Sequence, residues 1–385
     1  MQRVKIIVVP ALGVIFPITL MFPIKDIDFL LCGPDLPIRD VLARINASSV
    51  HLFQLVVDEE RNLLGTITDG DVRRAILCGV TLNDPARKCM YHTPRTGRPG
   101  DDTGNLPLLR EAKFLPILDD DGRLLEILAI EKPSDVFANA LVMAGGYGRR
   151  LGARTKDVPK PLLRVGRRPI LDRILEQLED AGCKNIYIAV HFLAEKIENF
   201  VEQRQNRACI HFIREKEPLG TAGALGLLPL SIRDEIVLVN GDVVTRVDYR
   251  ALREFHLTRD LDATIGVSRY DLRIPYGVVS HDDQGLFQGI REKPTLSQFV
   301  AAGMYYLGAP FLAQVPQGRA IDMPDMLDLG HRAGLRIGVF PVHEYWIDVG
   351  RPDDLEAAES DHAGHDARAR DEAPIAVPVP VRKGR

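Results

Sequence analysis

The stretch Leu141-Val-Met-Ala-Gly-Gly-Tyr-Gly-Arg-Arg-Leu151, followed by Lys160-Pro-Leu-Leu163, holds the residue types that a nucleotide phosphate needs. An apolar run that reads as a buried strand ends in a glycine-rich turn. Gly145, Gly146 and Gly148 let backbone N–H groups approach an anion closely, because no Cβ stands in the way. Arg149, Arg150 and Lys160 supply the counter-charge. The turn is not the dinucleotide fingerprint, which requires G-x-G-x-x-G and a downstream acid. It is not a Walker loop either, since no Gly-Lys-Ser/Thr follows it.

Such chemistry needs a scaffold. From about residue 139 to 358, strand-like runs (LVMAGG, NIYIAV, IHFIRE, EIVLVNGD) alternate with helical ones (ILDRILEQLEDAG, AEKIENFVEQ). This alternation predicts an α/β fold with a mostly parallel sheet and ligands at the carboxyl ends of its strands. Asp242 falls at such an end, closing Ile236-Val-Leu-Val-Asn-Gly-Asp242. Asp348 sits in Tyr345-Trp-Ile-Asp-Val-Gly-Arg-Pro352, beside the chain's only tryptophan. A lone aspartate after a strand is most often a helix cap.

The whole segment resembles the sugar-1-phosphate nucleotidyltransferase family, whose opening signature A-G-G-x-G-T-R-L and K-P-L is matched by Ala144, Gly145, Gly146, Gly148, Arg150, Leu151, Lys160, Pro161 and Leu162. Arg149 departs from the family's threonine, adding a charge and removing a hydroxyl. The resemblance implies a Rossmann-like nucleotidyltransferase domain that transfers a nucleoside monophosphate to a sugar 1-phosphate and releases pyrophosphate. Glu217-Pro-Leu-Gly-Thr-Ala-Gly-Ala-Leu225 resembles the second nucleotide element, with Gly220 and Thr221 against the base. Glu217 is then the expected acceptor for the N1–H and 2-amino group of guanine, so GTP leads. Asp242 and Asp348 are implied as ligands of a divalent metal, and Mg²⁺ suits two aspartates with phosphate oxygens and water. On the sugar side the resemblance assigns Gly277 of Pro275-Tyr-Gly-Val278, Glu292 and Lys293 of Glu292-Lys-Pro294, and Gly303 of Ala301-Ala-Gly-Met-Tyr305. Ala301 replaces the family's asparagine and removes one amide contact, so the usual sugar is not assumed. Arg150, Lys160, Asp242 and Lys293 are the expected catalytic set. The rival class is a non-catalytic paralogue that senses nucleotide sugars, and the intact Arg150, Lys160, Asp242 and Asp348 argue against it.

Residues 27–138 have a separate logic. Gly65, Thr68 and Asp71 in Asn62-Leu-Leu-Gly-Thr-Ile-Thr-Asp-Gly-Asp-Val-Arg-Arg74 resemble the Gly-h-h-Thr-x-x-Asp element of a CBS domain, a small α/β module found in pairs. There Thr68 and Asp71 would hold the ribose of a regulatory nucleotide. Equally, Thr68 is a helix cap. The partner repeat, Phe114–Ile130, has paired strands but lacks Thr-x-x-Asp, and the segment before it is short for a helix, so the pair reads as degenerate.

At 385 residues the chain is too long for one ordinary domain. Its 45% hydrophobic and 26% charged content is that of a globular protein with sizeable cores. A net charge of −4 gives no basic field, which argues against nucleic acid as a partner. The scattered cysteines form no metal-ligand spacing and suggest reduced thiols in the cytoplasm. Residues 6–24 carry no charge, but Pro10, Pro17 and Pro23 interrupt them and no small-residue cleavage site follows. Residues 1–26 therefore read as an apolar extension, and 359–385 as a disordered tail beyond the catalytic domain at 139–358. A homo-oligomer is compatible with this composition.

Overall fold

The computed structural model describes residues 20–24, 27–47, 53–112, 114–131, 137–229, 232 and 234–371. The chain divides into two compact units, residues 1–135 and 136–385.

The first unit is built twice over. In its first half β2 (Leu31–Cys32) leads to helix α1 (Ile38–Ala47), then β3 (Phe53–Val57), β4 (Leu63–Thr68) and helix α2 (Asp69–Leu77). In the second half helix α3 (Asp102–Glu111) precedes β5 (Phe114–Leu118) and β6 (Leu124–Glu131). β2 pairs parallel with β3, and β3 antiparallel with β4 with a bulge at Val56/Val57. The second half repeats the scheme, with Gly97 bridged in parallel to Ile117 and a bulge at Ile117/Leu118 between β5 and β6. Bulges at matching places bend both hairpins alike. The two halves meet through an Asn62–Arg123 bridge and the stacked rings of Phe53 and Phe114, 3.6 Å apart.

Two sequence expectations change here. The apolar extension is not wholly outside the fold: β1 (Leu20–Ile24) pairs antiparallel with Ile127–Glu131 of β6. Ile24 of this strand is buried. Residues 6–19 lie outside the described residues. The segment expected to be short for a helix forms α3 over ten residues, because Asp101 caps it by accepting from the Gly104 N–H at 2.9 Å.

In the second unit a seven-stranded sheet runs in the order β11-β10-β7-β12-β17-β14-β18. The strands are β7 (Asn139–Met143), β10 (Asn185–Val190), β11 (Cys209–Arg214), β12 (Glu235–Asn240), β14 (Ala263–Arg273), β17 (Thr295–Gly308) and β18 (Ile337–Val342). Only β17 runs against its neighbours, so the sheet is mostly parallel. Small ladders flank it: β8 (Arg164–Val165) with β9 (Arg168–Pro169), β13 (Val243–Thr245) with β19 (Trp346–Asp348), and β15 (Val278–His281) with β16 (Phe287–Arg291).

Successive residues of a strand face opposite sides, so a sheet covered on both sides needs continuous apolar runs. Ala140 and Val142 of β7 join one core with Ile174 and Leu175 of α4 (Ile170–Asp180), while Leu141 joins a second core on the other face. Helices α5 (Ala194–Glu202) and α7 (Tyr249–Thr258) lie with the first core, and α6 (Gly220–Gly223), α8 (Ala309–Leu312) and α9 (Met323–Arg332) with the second. Helix α10 (Pro352–Asp371) extends past residue 359, so the segment read as a tail starts inside a helix. Residues 372–385 lie outside the described residues. Among the described residues no helix is long and apolar enough to cross a membrane.

Candidate functional site

Strand β7 delivers the glycine turn at the middle of the sheet, between β10 and β12. The ladder holds through Ala144, whose N–H donates to Ala189 O at 2.9 Å. Gly148 then turns with φ +64°, a left-handed conformation natural to glycine. Thr155, itself buried, donates its hydroxyl to Gly148 O at 2.9 Å and ties the turn to its own far end. Arg149 lies over the Tyr147 ring at 4.9 Å. Arg150 is exposed beside Asp348: the Arg150 Nη1 and Asp348 Oδ2 each lie within 3.7 Å of where a Gly350 Cβ would stand.

The two aspartates come together through the β13–β19 ladder. Val243 is the register partner of Asp348, and the Val349 N–H donates to Asp242 O at 3.0 Å. Between the carboxylates stands Lys160, a buried lysine that ion-pairs with Asp242 and reaches Asp348 Oδ1 at 3.8 Å. Asp242 Oδ1 is buried without a hydrogen-bond partner. Burial, followed by the negative charge of Asp242, pushes the Asp348 carboxyl above the usual range, while Lys160 and Arg150 oppose the rise. Two facing carboxylates, one with an orphaned oxygen, fit a hard divalent cation that takes its other ligands from phosphate and water.

The neighbouring strand end offers a second carboxylate beside the expected one. Glu217 is exposed, and the buried carboxylate facing the glycine turn belongs to Glu215. A Cβ on Gly145 would stand 2.6 Å from Glu215 Oε2, so glycine is required there for contact of loop with carboxylate. Glu215 Oε1 is buried without a partner. Burial raises its carboxyl, against the pull of the Leu219 N–H and His191. His191 Nδ1 bonds Glu215 O at 2.9 Å, and its Nε2 bonds the Tyr147 hydroxyl at 3.1 Å, which links the loop to this strand end. Gly220 has φ +77° and packs against Ile321 and Asp322. Thr221 serves α9: its hydroxyl accepts from the Met323 N–H at 2.8 Å, and its own N–H donates to Asp322 at 2.9 Å. Of these, Glu215, His191 and Tyr147 escaped the sequence reading. The available signal was that Glu215, rather than Glu217, directly follows β11.

The sugar-side residues fall in two places. Gly277, Glu292 and Lys293 meet on one arm, where Glu292 Oε2 lies 2.9 Å from the position of a Gly277 Cβ, and Lys293 has φ +45° with its N–H donating to Tyr276 O at 3.2 Å. Gly303 (φ +67°) belongs to the sheet, where a Cβ would stand 2.8 Å from Asn240 Nδ2, and Asn240 Oδ1 is buried and unpartnered.

In the first unit Thr68 and Asp71 form a capping box on α2. The Asp71 carboxylate accepts from the Thr68 N–H at 2.8 Å and hydroxyl at 2.6 Å, and pairs with Arg74. Both candidate ribose ligands are therefore engaged in the helix start.

Comparison with known proteins places these motifs in context. Residues 139–364 match the family model for nucleotidyl transferases, and residues 24–78 that for the CBS domain. The chain is 32% identical over 224 residues to the mannose-1-phosphate guanylyltransferase catalytic subunit beta of Drosophila melanogaster, covering 56% of the chain and 60% of that protein. It is 33% identical over 225 residues to the mannose-1-phosphate guanyltransferase of Pichia angusta, covering 56% and 61%. The chain thus spans about three fifths of the length of these curated relatives. Among solved structures, HddC from Yersinia pseudotuberculosis is similar at 26% identity and a TM-score of 0.46, covering 59% of this chain and 100% of that one. The match over residues 139–364, more than half of the chain, shows that it belongs to the nucleotidyl transferase family.

Proposed function

We propose that this protein transfers GMP from GTP to a sugar 1-phosphate, with release of pyrophosphate. The observation that carries the reading is the cluster of Lys160, Asp242 and Asp348 at the strand ends beside the glycine turn. Guanine is supported by Glu215, whose desolvated carboxylate with an orphaned oxygen suits a Watson–Crick edge with two donors. The guanylyltransferase names of its relatives agree. Mannose 1-phosphate is the first candidate acceptor, since it is named in those relatives.

In the reaction a sugar-phosphate oxygen forms a bond to the α-phosphorus as the bond to the β-phosphate oxygen breaks. The nucleophile is already an anion and needs no general base, so alignment and charge neutralisation do the work. The N–H groups of Gly145, Gly146 and Gly148 cradle the triphosphate beside Ala144. Arg150, with Arg149, neutralises the β- and γ-phosphates, whose charge grows as pyrophosphate leaves. Lys160 reaches the α-phosphate from its buried position between the aspartates. Gly220 and Thr221 shape the base side. Lys293 receives the acceptor phosphate, while Gly277, Glu292 and Gly303 line the sugar. Mg²⁺ held by Asp242 and Asp348 would neutralise phosphate charge at the reacting centre. A regulatory nucleotide at Thr68 and Asp71 of the first unit would have to displace the capping box that engages both side chains.

Pyrophosphate release measured with four nucleoside triphosphates and a panel of sugar 1-phosphates (mannose, glucose, glucosamine, N-acetylglucosamine, heptose) tests the reading. Turnover with GTP and one sugar is expected. Turnover confined to UTP or dTTP would overturn the base assignment, and none with any pair would overturn the activity.

A further inference from the structure

Asn240 ends β12 with a carboxamide that the fold leaves unused. Its Oδ1 is buried and accepts no hydrogen bond among the described residues, although the residue as a whole is only half-buried. An orphaned buried acceptor is uncommon, because a polar atom stripped of water and left unpaired destabilises the fold. Alternation along the strand fixes where the carboxamide lies. Ile236 and Leu238 face the second core and Val237 and Val239 the first, so Asn240 continues the second face just beyond that core. On β17, Ala302 and Met304 face the first core and Tyr305 the second, which puts Ala301 and Gly303 on the same face as Asn240.

Register brings these residues together. Val239 is opposite Met304, which sets Asn240 opposite Gly303 and diagonal to Ala301. A Cβ on Gly303 would stand 2.8 Å from Asn240 Nδ2 and 3.1 Å from its Cγ, so the glycine makes the room that the carboxamide occupies. Ala301 is exposed and offers one methyl group. On this face of β17, then, only that methyl group lies between the carboxamide and the ligand edge of the sheet.

Asn240 is also well placed against the rest of the site. It lies three strands from β11, whose end carries Glu215, or roughly 14 Å at about 4.8 Å per strand. The glycine turn of β7 stands between them, on the strand next to β12. A ligand with its base at Glu215 and its phosphates on the turn brings the group beyond those phosphates to Asn240. A carboxamide presents an acceptor oxygen beside an NH2 donor, which matches two neighbouring hydroxyls.

We propose that Asn240 is a specificity-determining residue for the acceptor sugar, with Oδ1 accepting from one hydroxyl and Nδ2 donating to the next. The proposal rests on the acceptor-side reading of Gly303 above. It supplies from β12 an amide contact that Ala301 cannot make on β17. Sugars lacking either hydroxyl are selected against, because they leave the buried oxygen unpaired.

Initial rates of pyrophosphate release at saturating GTP test this in wild type and Asn240→Ala, using the accepted sugar 1-phosphate and analogues that each lack one hydroxyl. Tm is measured alongside. Alanine removes an orphaned polar atom, so a Tm at or above that of wild type is expected, which a merely structural asparagine would not give. Should the alanine variant not fold, Asn240→Leu, of the same branched shape, takes its place. KM for the sugar 1-phosphate is expected to rise about tenfold, with KM for GTP within about twofold. At least one deoxy analogue should lose about tenfold in kcat/KM with wild type and nothing further with the variant. An unchanged KM for the sugar 1-phosphate, or deoxy penalties that are the same in wild type and variant, overturns the role of Asn240 alone. A wild type that neither turns over nor binds any sugar 1-phosphate rejects the acceptor site itself.

Discussion

Asp242 and Asp348 lie about a hundred residues apart in the sequence, yet they are brought together at one antiparallel ladder, joined by the Val349 N–H to Asp242 O bond at 3.0 Å and with Lys160 between their carboxylates. Two like charges at close range cost energy, and burial adds to that cost. The raised Asp348 carboxyl records it.

Removing the counter-charge should expose this cost. In Lys160→Met the two carboxylates face each other uncompensated, so stability is expected to fall by about 3 kcal/mol. Added Mg²⁺ should recover part of the loss, more in this variant than in wild type. Thermal melting with and without Mg²⁺ checks it, and equal shifts in both proteins would argue against cation binding at the pair.

Glu215 and Glu217 separate the two readings of base recognition. Glu215→Gln replaces one acceptor oxygen with a donor, so the preference for GTP over other triphosphates should drop by about tenfold or more. Glu217→Gln should leave KM for GTP within about twofold, because that side chain is exposed. The reverse outcome would restore Glu217.

The same Glu215 carries a pH signature. Its carboxyl is raised in the folded protein, chiefly by burial, so the native state binds a proton more tightly than the unfolded one. Stability tied to this group is then fully present below the unfolded carboxyl range and is lost as pH rises through the folded value. Glu215→Gln is expected to raise Tm at pH 7–8 relative to wild type, with the difference shrinking toward about pH 4. A variant less stable than wild type at neutral pH would contradict the sign.

The glycine turn depends on Thr155. Thr155→Ala removes the bond to Gly148 O and should cost about 1 kcal/mol, with a higher KM for GTP, while Thr155→Ser should keep both near wild type. Equal effects of the two substitutions would point to the methyl group instead of the hydroxyl.

Most of the second unit was legible in the sequence because parallel strands buried on both faces leave continuous apolar runs. Lys160, Asp242 and Asp348, singled out by motif and by strand end, do come together in the fold. The burial of Glu215 beside the glycine turn was not foreseen, because a carboxylate two residues from Glu217 is indistinguishable by type and only burial separates them. The pairing of Leu20–Ile24 with β6 was hidden too: an apolar strand whose partner lies a hundred residues on carries no local signal of its register. Helix α3 was obscured by Gly104 and Pro107, which local propensity counts against a helix.

The most direct test is the initial rate of pyrophosphate release from GTP and the accepted sugar 1-phosphate, compared between wild type and Asp242→Asn with Mg²⁺ present. The substitution keeps shape and removes one charge from the pair that Lys160 bridges. A fall of about 10³-fold in kcat, with GTP binding retained and Tm not lowered, is expected. A variant turning over at close to the wild-type rate would contradict the role of the aspartate pair in the chemistry.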